Sequence, residues 1–207
     1  MIARKVSLTF FINVVIHILG FLSLYFVAHR MGPQAVGIIS FAFAYIGMFR
    51  TFSDLGFGSA HIKRVSEGKD FGRCNGTYFT VKTILTFIMT IIVLTTIFVT
   101  KSVQQKEFIS KEHEIVLYIV LLSAVIGNLS MMFIITFGAR RETAKQSIPL
   151  LIGKIIETIC KIFVAIAGLS VIFLAGASLL SAVIILMLFI YLFRGYPFKK
   201  PNKEYLK

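Results

Sequence analysis

The sequence predicts an all-α, polytopic membrane protein of six transmembrane helices, and three observations lead there. Hydrophobic residues make up 57% of the chain and charged residues 15%, with a mean hydropathy of +0.87, whereas soluble domains carry roughly 25% charged residues. The apolar residues come in runs of about 20, the length needed to cross a bilayer. Most basic residues fall between those runs, where they set topology. A formal net charge of +13 would otherwise fit nucleic acid; this distribution argues for membrane lipid and against nucleic acid as a partner.

The first span is read at about Val6–Ala28. Its basic start resembles a signal peptide, but the apolar run is too long and lacks a small-x-small cleavage site, so the span is expected to stay. His29–Gln34 contains Gly32-Pro33, a turn signal. The second span is about Ala35–Ala60, long enough to tilt. His61–Gly76 reads as a basic loop with Gly68, Gly72 and Gly76 as breakers. The third span is about Thr77–Thr100. The connection Lys101–Glu114 holds three lysines and three glutamates and is expected to end in a short surface helix. The fourth span is about Ile115–Ala139. From Ile148 to Phe193 the chain is mostly apolar; one helix of that length would run about 69 Å, roughly twice the hydrocarbon thickness. Two spans are therefore expected, about Ser147–Ala167 and Leu174–Phe193, hinged near Gly168 and Gly176. Residues 1–193 form the membrane lobe in this reading, and 194–207 a basic tail or linker.

Six spans make the orientation arithmetic simple. Fourteen Lys and Arg residues fall on the side of the termini, against Arg30, Lys101, Lys106 and Lys111 on the other. The positive-inside rule places both termini in the cytoplasm, and the setting is the cell membrane. Cys74 and Cys160 lie in different environments with no metal-ligand spacing, so neither a disulfide nor a metal site is expected.

Charges inside the spans carry the functional argument. Arg50 and Asp54 lie at i, i+4 in the second span, on one helical face; Lys82 lies in the third. Lys154, Glu157 and Lys161 follow at i, i+3, i+7 in the fifth, one helical stripe. Asn13 and His17 make an i, i+4 pair in the first, and Asn128 sits in the fourth. Each charge at mid-bilayer costs about 2.5–3.5 kcal/mol on insertion scales, so convergence on a shared aqueous cleft is the less costly arrangement. Lys82 and Lys154 lie about 8 and 10 Å from the cytoplasmic face, and Lys161 about 21 Å in. Counting Arg50, Lys82, Lys154 and Lys161 against Asp54 and Glu157 leaves an excess of +2, and a cationic hollow in a low-dielectric wall concentrates anions.

Plainer readings stand beside this one. Lys82 is near enough to an interface to snorkel, and Arg50–Asp54 equally fits a packing pair. Three charges on one stripe exceed what a packing pair needs. His17 fits a satisfied polar residue better than a proton site, and Asn13 and Asn128 are expected to hydrogen-bond between helices. The 21 phenylalanines read as lipid-facing bulk. No Ser/His/Asp set, Cys/His cluster or Gly-rich phosphate loop is present, so no enzyme and no cofactor is implied.

The run VAHRMGPQAVGIISFAFAY, followed by FSDLGFGSAHIKR (Val27–Arg64 overall), resembles the opening of polysaccharide-biosynthesis flippases of the Wzx type, in the multidrug/oligosaccharidyl-lipid/polysaccharide exporter superfamily. The shared elements are Arg30 before Met31-Gly32-Pro33, then Val36-Gly37, then Asp54-Leu55-Gly56. Leu192–Pro201, LFRGYPFKKP, is similar to the linker after the sixth span of such proteins. The resemblance implies a V-shaped helical transporter that moves polyprenyl-pyrophosphate-linked oligosaccharide to the outer leaflet. It also implies two six-helix lobes with a cationic cavity between them. Arg50 and Asp54 fall in the motif region; Lys154, Glu157 and Lys161 rest on depth alone. This chain holds one lobe, and rocking one bundle against another needs two, so it is expected to be a truncated piece or to pair with a copy or a separate second lobe. Two other functions are open: a cation-coupled drug antiporter of the same superfamily, which would favour a carboxylate in the first span where this chain has none, and a non-transporting scaffold for glycan assembly.

Overall fold

A computed structural model describes residues 2–103 and 111–201. The short surface helix expected within 101–114 falls largely outside the described residues. Among the described residues there is no strand. The order is α1 (Ile2–Phe49), a 3-10 turn (Arg50–Ser53), α2 (Phe57–Ser66), α3 (Phe71–Val103), α4 (Lys111–Ala139), α5 (Thr143–Ile166) and α6 (Val171–Phe193).

The long first element is two limbs. Gly32, at φ 81 and ψ 174, breaks the helical path just before Pro33, whose missing N–H and ring would disrupt a continuous helix in any case. The limbs, 2–31 and 33–49, lie side by side: Gly20, Ser23 and Val27 of the first line the same cavity as Val36, Ile39 and Phe43 of the second. Four stretches among the described residues are long and apolar enough to cross a membrane: Ser7–Ser53, which holds both limbs, Phe71–Ser102, Lys111–Ala139 and Val171–Phe193. At 24 residues, α5 is also long enough, about 36 Å; the three charges in its middle, Lys154, Glu157 and Lys161, set it apart from the others.

Helical periodicity builds the interior. The second limb buries Ala35, Ile38, Ala42 and Ile46, and α3 buries Met89, Val93 and Ile97; these stripes meet Val116, Leu117 and Val120 of α4 and Leu174 and Ala175 of α6. Tyr45 donates to Thr96 across the first of these contacts, at 3.1 Å. Between α5 and α6 the backbones come close. Ser181 donates to the Gly153 carbonyl at 2.8 Å, and a methyl group on Gly153 would collide with Ile185, the small-residue contact expected of membrane helices.

Several boundaries differ from those the sequence predicts. The second span stops at Phe49 instead of running to Ala60. After the 3-10 turn, Leu55 (φ 45) and Gly56 (φ 84) both take left-handed backbone, which ends the helix and starts α2 in a new direction. His61–Gly76 is not a loop, because α2 extends to Ser66 and α3 begins at Phe71. The break between the last two spans is at Gly168, at φ 63; Gly176 lies inside α6, with no hinge. Cys74 is buried within α3 rather than in a basic loop, and both it and Cys160 are free thiols.

Gly72 and Gly76 serve packing. Residues 194–201 fold back onto the start of α3: Lys199 N–H donates to the Gly72 carbonyl at 3.1 Å, Asn75 donates to the Pro197 carbonyl at 3.1 Å, and Lys199 pairs with Asp70 at 2.7 Å. That ammonium, with the Arg73 N–H, holds the Asp70 carboxyl below its usual range. Tyr196 stacks on Phe193 at 5.0 Å and donates to Glu142, while Lys145 donates to the Tyr196 hydroxyl at 2.7 Å. Burial raises the Glu142 pKa, but the Tyr196 and Lys145 hydrogen bonds prevail and leave it lowered. Not all the phenylalanines are lipid-facing bulk: Phe133, Phe137 and Phe189 form a buried aromatic cluster with Phe79, Phe193 and Tyr196.

His61 anchors α2. It is 3% exposed, stacks on Tyr78 at 4.5 Å and faces the Thr136 hydroxyl at 3.2 Å. Burial lowers its pKa from 6.5 to about 4, partly offset by a hydrogen bond with the Cys74 backbone and reinforced by Arg64.

Two tests follow from this packing. A methyl at Gly76 would collide with the Lys199 carbonyl, so Gly76→Ala is expected to release residues 194–201, read as a several-fold rise in their hydrogen exchange with the six long helical segments unchanged. The neutral imidazole of His61 favours docked α2 fully above pH 6.5. As pH falls towards about 4, the undocked state binds the extra proton and up to about 3 kcal/mol of that preference is lost. Exchange of residues 57–66, corrected for intrinsic rates, should therefore rise on acidification and be insensitive to pH in His61→Phe.

Candidate functional site

The six charged side chains that the sequence places inside the spans, Arg50, Asp54, Lys82, Lys154, Glu157 and Lys161, fall into two groups and one separate cation. In the first group, Lys82 of α3 is 2% exposed and binds Asp54 at 3.0 Å, while Asp54 keeps 39% of its side chain accessible. Lys82 thus does not snorkel. It stands on the buried stripe of α3 with Tyr78 and Thr86 one turn to either side. Asp54 reaches it because the α-helix ends at Phe49 and the 3-10 turn Arg50–Ser53 carries the carboxylate, on a non-helical residue, off the helical path.

The second group is on α5. Glu157 accepts from Lys154 at 3.0 Å and from Lys161 one turn further on, and its Oε1 also accepts from Ser178 of α6 at 3.2 Å. The spacing i, i+3, i+7 places all three charges on one stripe, and each is mostly buried. One carboxylate between two ammonium groups leaves this cluster at +1.

Arg50 does not pair with Asp54. The i, i+4 geometry requires a continuous α-helix, and Arg50 instead opens the 3-10 turn. It is exposed and makes no ion pair among the described residues. Its side chain lines a cavity of about 280 Å³ together with Glu157, Asn128, Ser178 and Ser181. Lys154 and Lys161 line a neighbouring cavity of about 210 Å³, with Gly20, Ser23 and Ser40 on its far walls. Phe43 belongs to the walls of both, and the Lys161 ammonium sits 5.9 Å from its ring centre, a cation–π distance.

The single shared hollow expected from the sequence is therefore two adjoining cavities, and Asp54 with Lys82 lines neither. Asn13 and His17 are both exposed on the first limb and line neither cavity, and among the described residues the inter-helix hydrogen bond expected of Asn13 is not made. Asn128 does bond across helices, donating to the Met89 sulfur at 3.4 Å. Sequence reasoning missed Ser178 and Phe43. Ser178 and Ser181, three apart in an otherwise apolar helix, were a legible sign of a polar group opposite; nothing in the sequence marks Phe43 apart from other phenylalanines.

The fold and this interior define an all-α membrane protein with ionised side chains gathered inside an apolar bundle. A family model described as polysaccharide biosynthesis protein matches residues 2–207, and the chain belongs to that family. Neither a curated protein nor a solved structure matches it.

The first ion pair gives an asymmetric test. Asp54→Ala strands an ammonium that is 2% exposed, and breaking a buried pair in this way costs about 3–5 kcal/mol. Lys82→Met removes the buried charge and leaves Asp54 in contact with solvent, so its cost should be about 1–2 kcal/mol. Thermal unfolding in nanodiscs should rank the two in that order.

Proposed function

We propose that the chain is one six-helix half of a transporter that moves a lipid-linked oligosaccharide across the cell membrane, with both termini in the cytoplasm. Residues 1–193 would form the membrane lobe, and a second lobe or a second copy would complete the pathway. The observation that carries this reading is the placement of Arg50, Lys154 and Lys161 along cavities of an apolar bundle with Glu157 as the one acid lining them among the described residues. That leaves a net cationic lining where lipid would tolerate neither sign. Membership of the polysaccharide biosynthesis family makes a lipid-linked glycan the fitting cargo. Its diphosphate would meet the cations, its sugars would pass through water, and its polyprenyl chain would stay in lipid. A cation-coupled antiporter needs an acid free to bind a cation, and Glu157 is held by two lysines.

Single replacements Arg50→Gln, Lys154→Gln and Lys161→Gln, made in a two-lobe context, should each lower glycan export by about tenfold or more, one lost charge-assisted contact being worth about 1.5–3 kcal/mol. Export unchanged in all three would overturn the headgroup assignment.

A further inference from the structure

The two cavities separate the lysines from the acid that holds them. Lys154 and Lys161 line one cavity, Glu157 lines the other, and Phe43 stands in the wall between. An anion entering the lysine-lined cavity would reach both ammonium groups without meeting the carboxylate. We propose that Glu157 is a displaceable counter-ion: a diphosphate draws Lys154 and Lys161 away from it, and the released carboxylate takes up one proton from water. This rests on the headgroup assignment above and adds a consequence to it.

The surroundings of Glu157 make the proton the fitting replacement. On its own helix it faces only Lys154 and Lys161. From α6 it receives the Ser178 hydroxyl; α4 brings Asn128 and Ser123 to the same cavity, and α3 brings Met89. Arg50 lines that cavity from the turn after α1 but makes no ion pair among the described residues. The first limb brings Gly20 against Lys154, where an added methyl group would stand 3.6 Å from its Cε, and among the described residues it brings no acid or base to Glu157. Once both ammonium groups turn to the anion, Ser178 is the one hydrogen-bond partner left among the described residues, and a single hydroxyl does not hold an ionised carboxylate in a low-dielectric interior. Protonation removes that charge and raises the net charge of the three groups from +1 to +2 opposite the diphosphate.

The test is calorimetric titration of the chain in nanodiscs with inorganic pyrophosphate and, separately, with farnesyl diphosphate, each in two buffers of different ionisation enthalpy. The wild type should take up about one proton more per bound ligand than Glu157→Gln does, since protons exchanged by the ligand itself are common to both. Binding of both ligands identifies the diphosphate as the recognised group; binding of the prenyl compound alone assigns recognition to the lipid form. As a readout independent of the variant's folding, the wild-type infrared difference spectrum should gain a protonated carboxyl band on ligand addition. Binding without extra proton uptake and without that band overturns the displacement, as re-pairing of Glu157 with Arg50 would, and leaves the headgroup assignment standing. Absence of binding by either ligand overturns that assignment and the displacement with it.

Discussion

Glu157 holding Lys154 on one side and Lys161 on the other is the interaction on which the interior depends. An ammonium group left alone in hydrocarbon costs about 2.5–3.5 kcal/mol, so two of them on one helix would oppose its insertion unless a counter-charge travelled with them. The i, i+3, i+7 spacing supplies that counter-charge within α5 itself. The charge stripe carries its own neutralisation, short by one unit, wherever the helix packs, and the limb 2–31 and α6 close around it with Gly20 and the hydroxyls of Ser178 and Ser181, the last bonded to Gly153 of α5. What the packing adds is direction, with the lysines turned to one cavity and the carboxylate to the other.

Asp54 and Lys82 solve the same problem by a different route. Here the partners come from separate elements, and the acid arrives only because the second limb ends early. Leu55 and Gly56 in left-handed backbone redirect the chain, and α2 then docks through neutral His61 against Tyr78 and Thr136. One backbone break therefore does three things: it stops a span, neutralises a buried lysine and seats a short helix at the end of the bundle. The segment 194–201 fastens the same end from the other terminus, through Lys199 on Gly72 and Tyr196 between Phe193 and Glu142.

Membership of the polysaccharide biosynthesis family fits an interior of this kind. The four strongly apolar stretches supply the wall, and α5, the most charged of the long helices in its middle, supplies what the wall encloses.

Composition and run length by themselves determined that this is an all-α membrane chain, because no soluble core tolerates so few charges over so many apolar residues. They also located the turn at Gly32-Pro33 and the α5 charge stripe, since backbone chemistry and helical spacing are local properties. The tertiary structure alone decided which charges meet. Arg50 and Asp54 share a face only if the helix between them continues, and it does not; Lys82 finds Asp54 across 28 positions of sequence, a proximity that no periodicity encodes. The same holds for Phe43 between the two cavities and for Gly72 and Gly76 beneath Lys199, whose roles are set by what lies opposite. Contacts within a helix can be read from spacing; contacts between helices depend on where the backbone turns, and here that rested on the left-handed pair Leu55–Gly56.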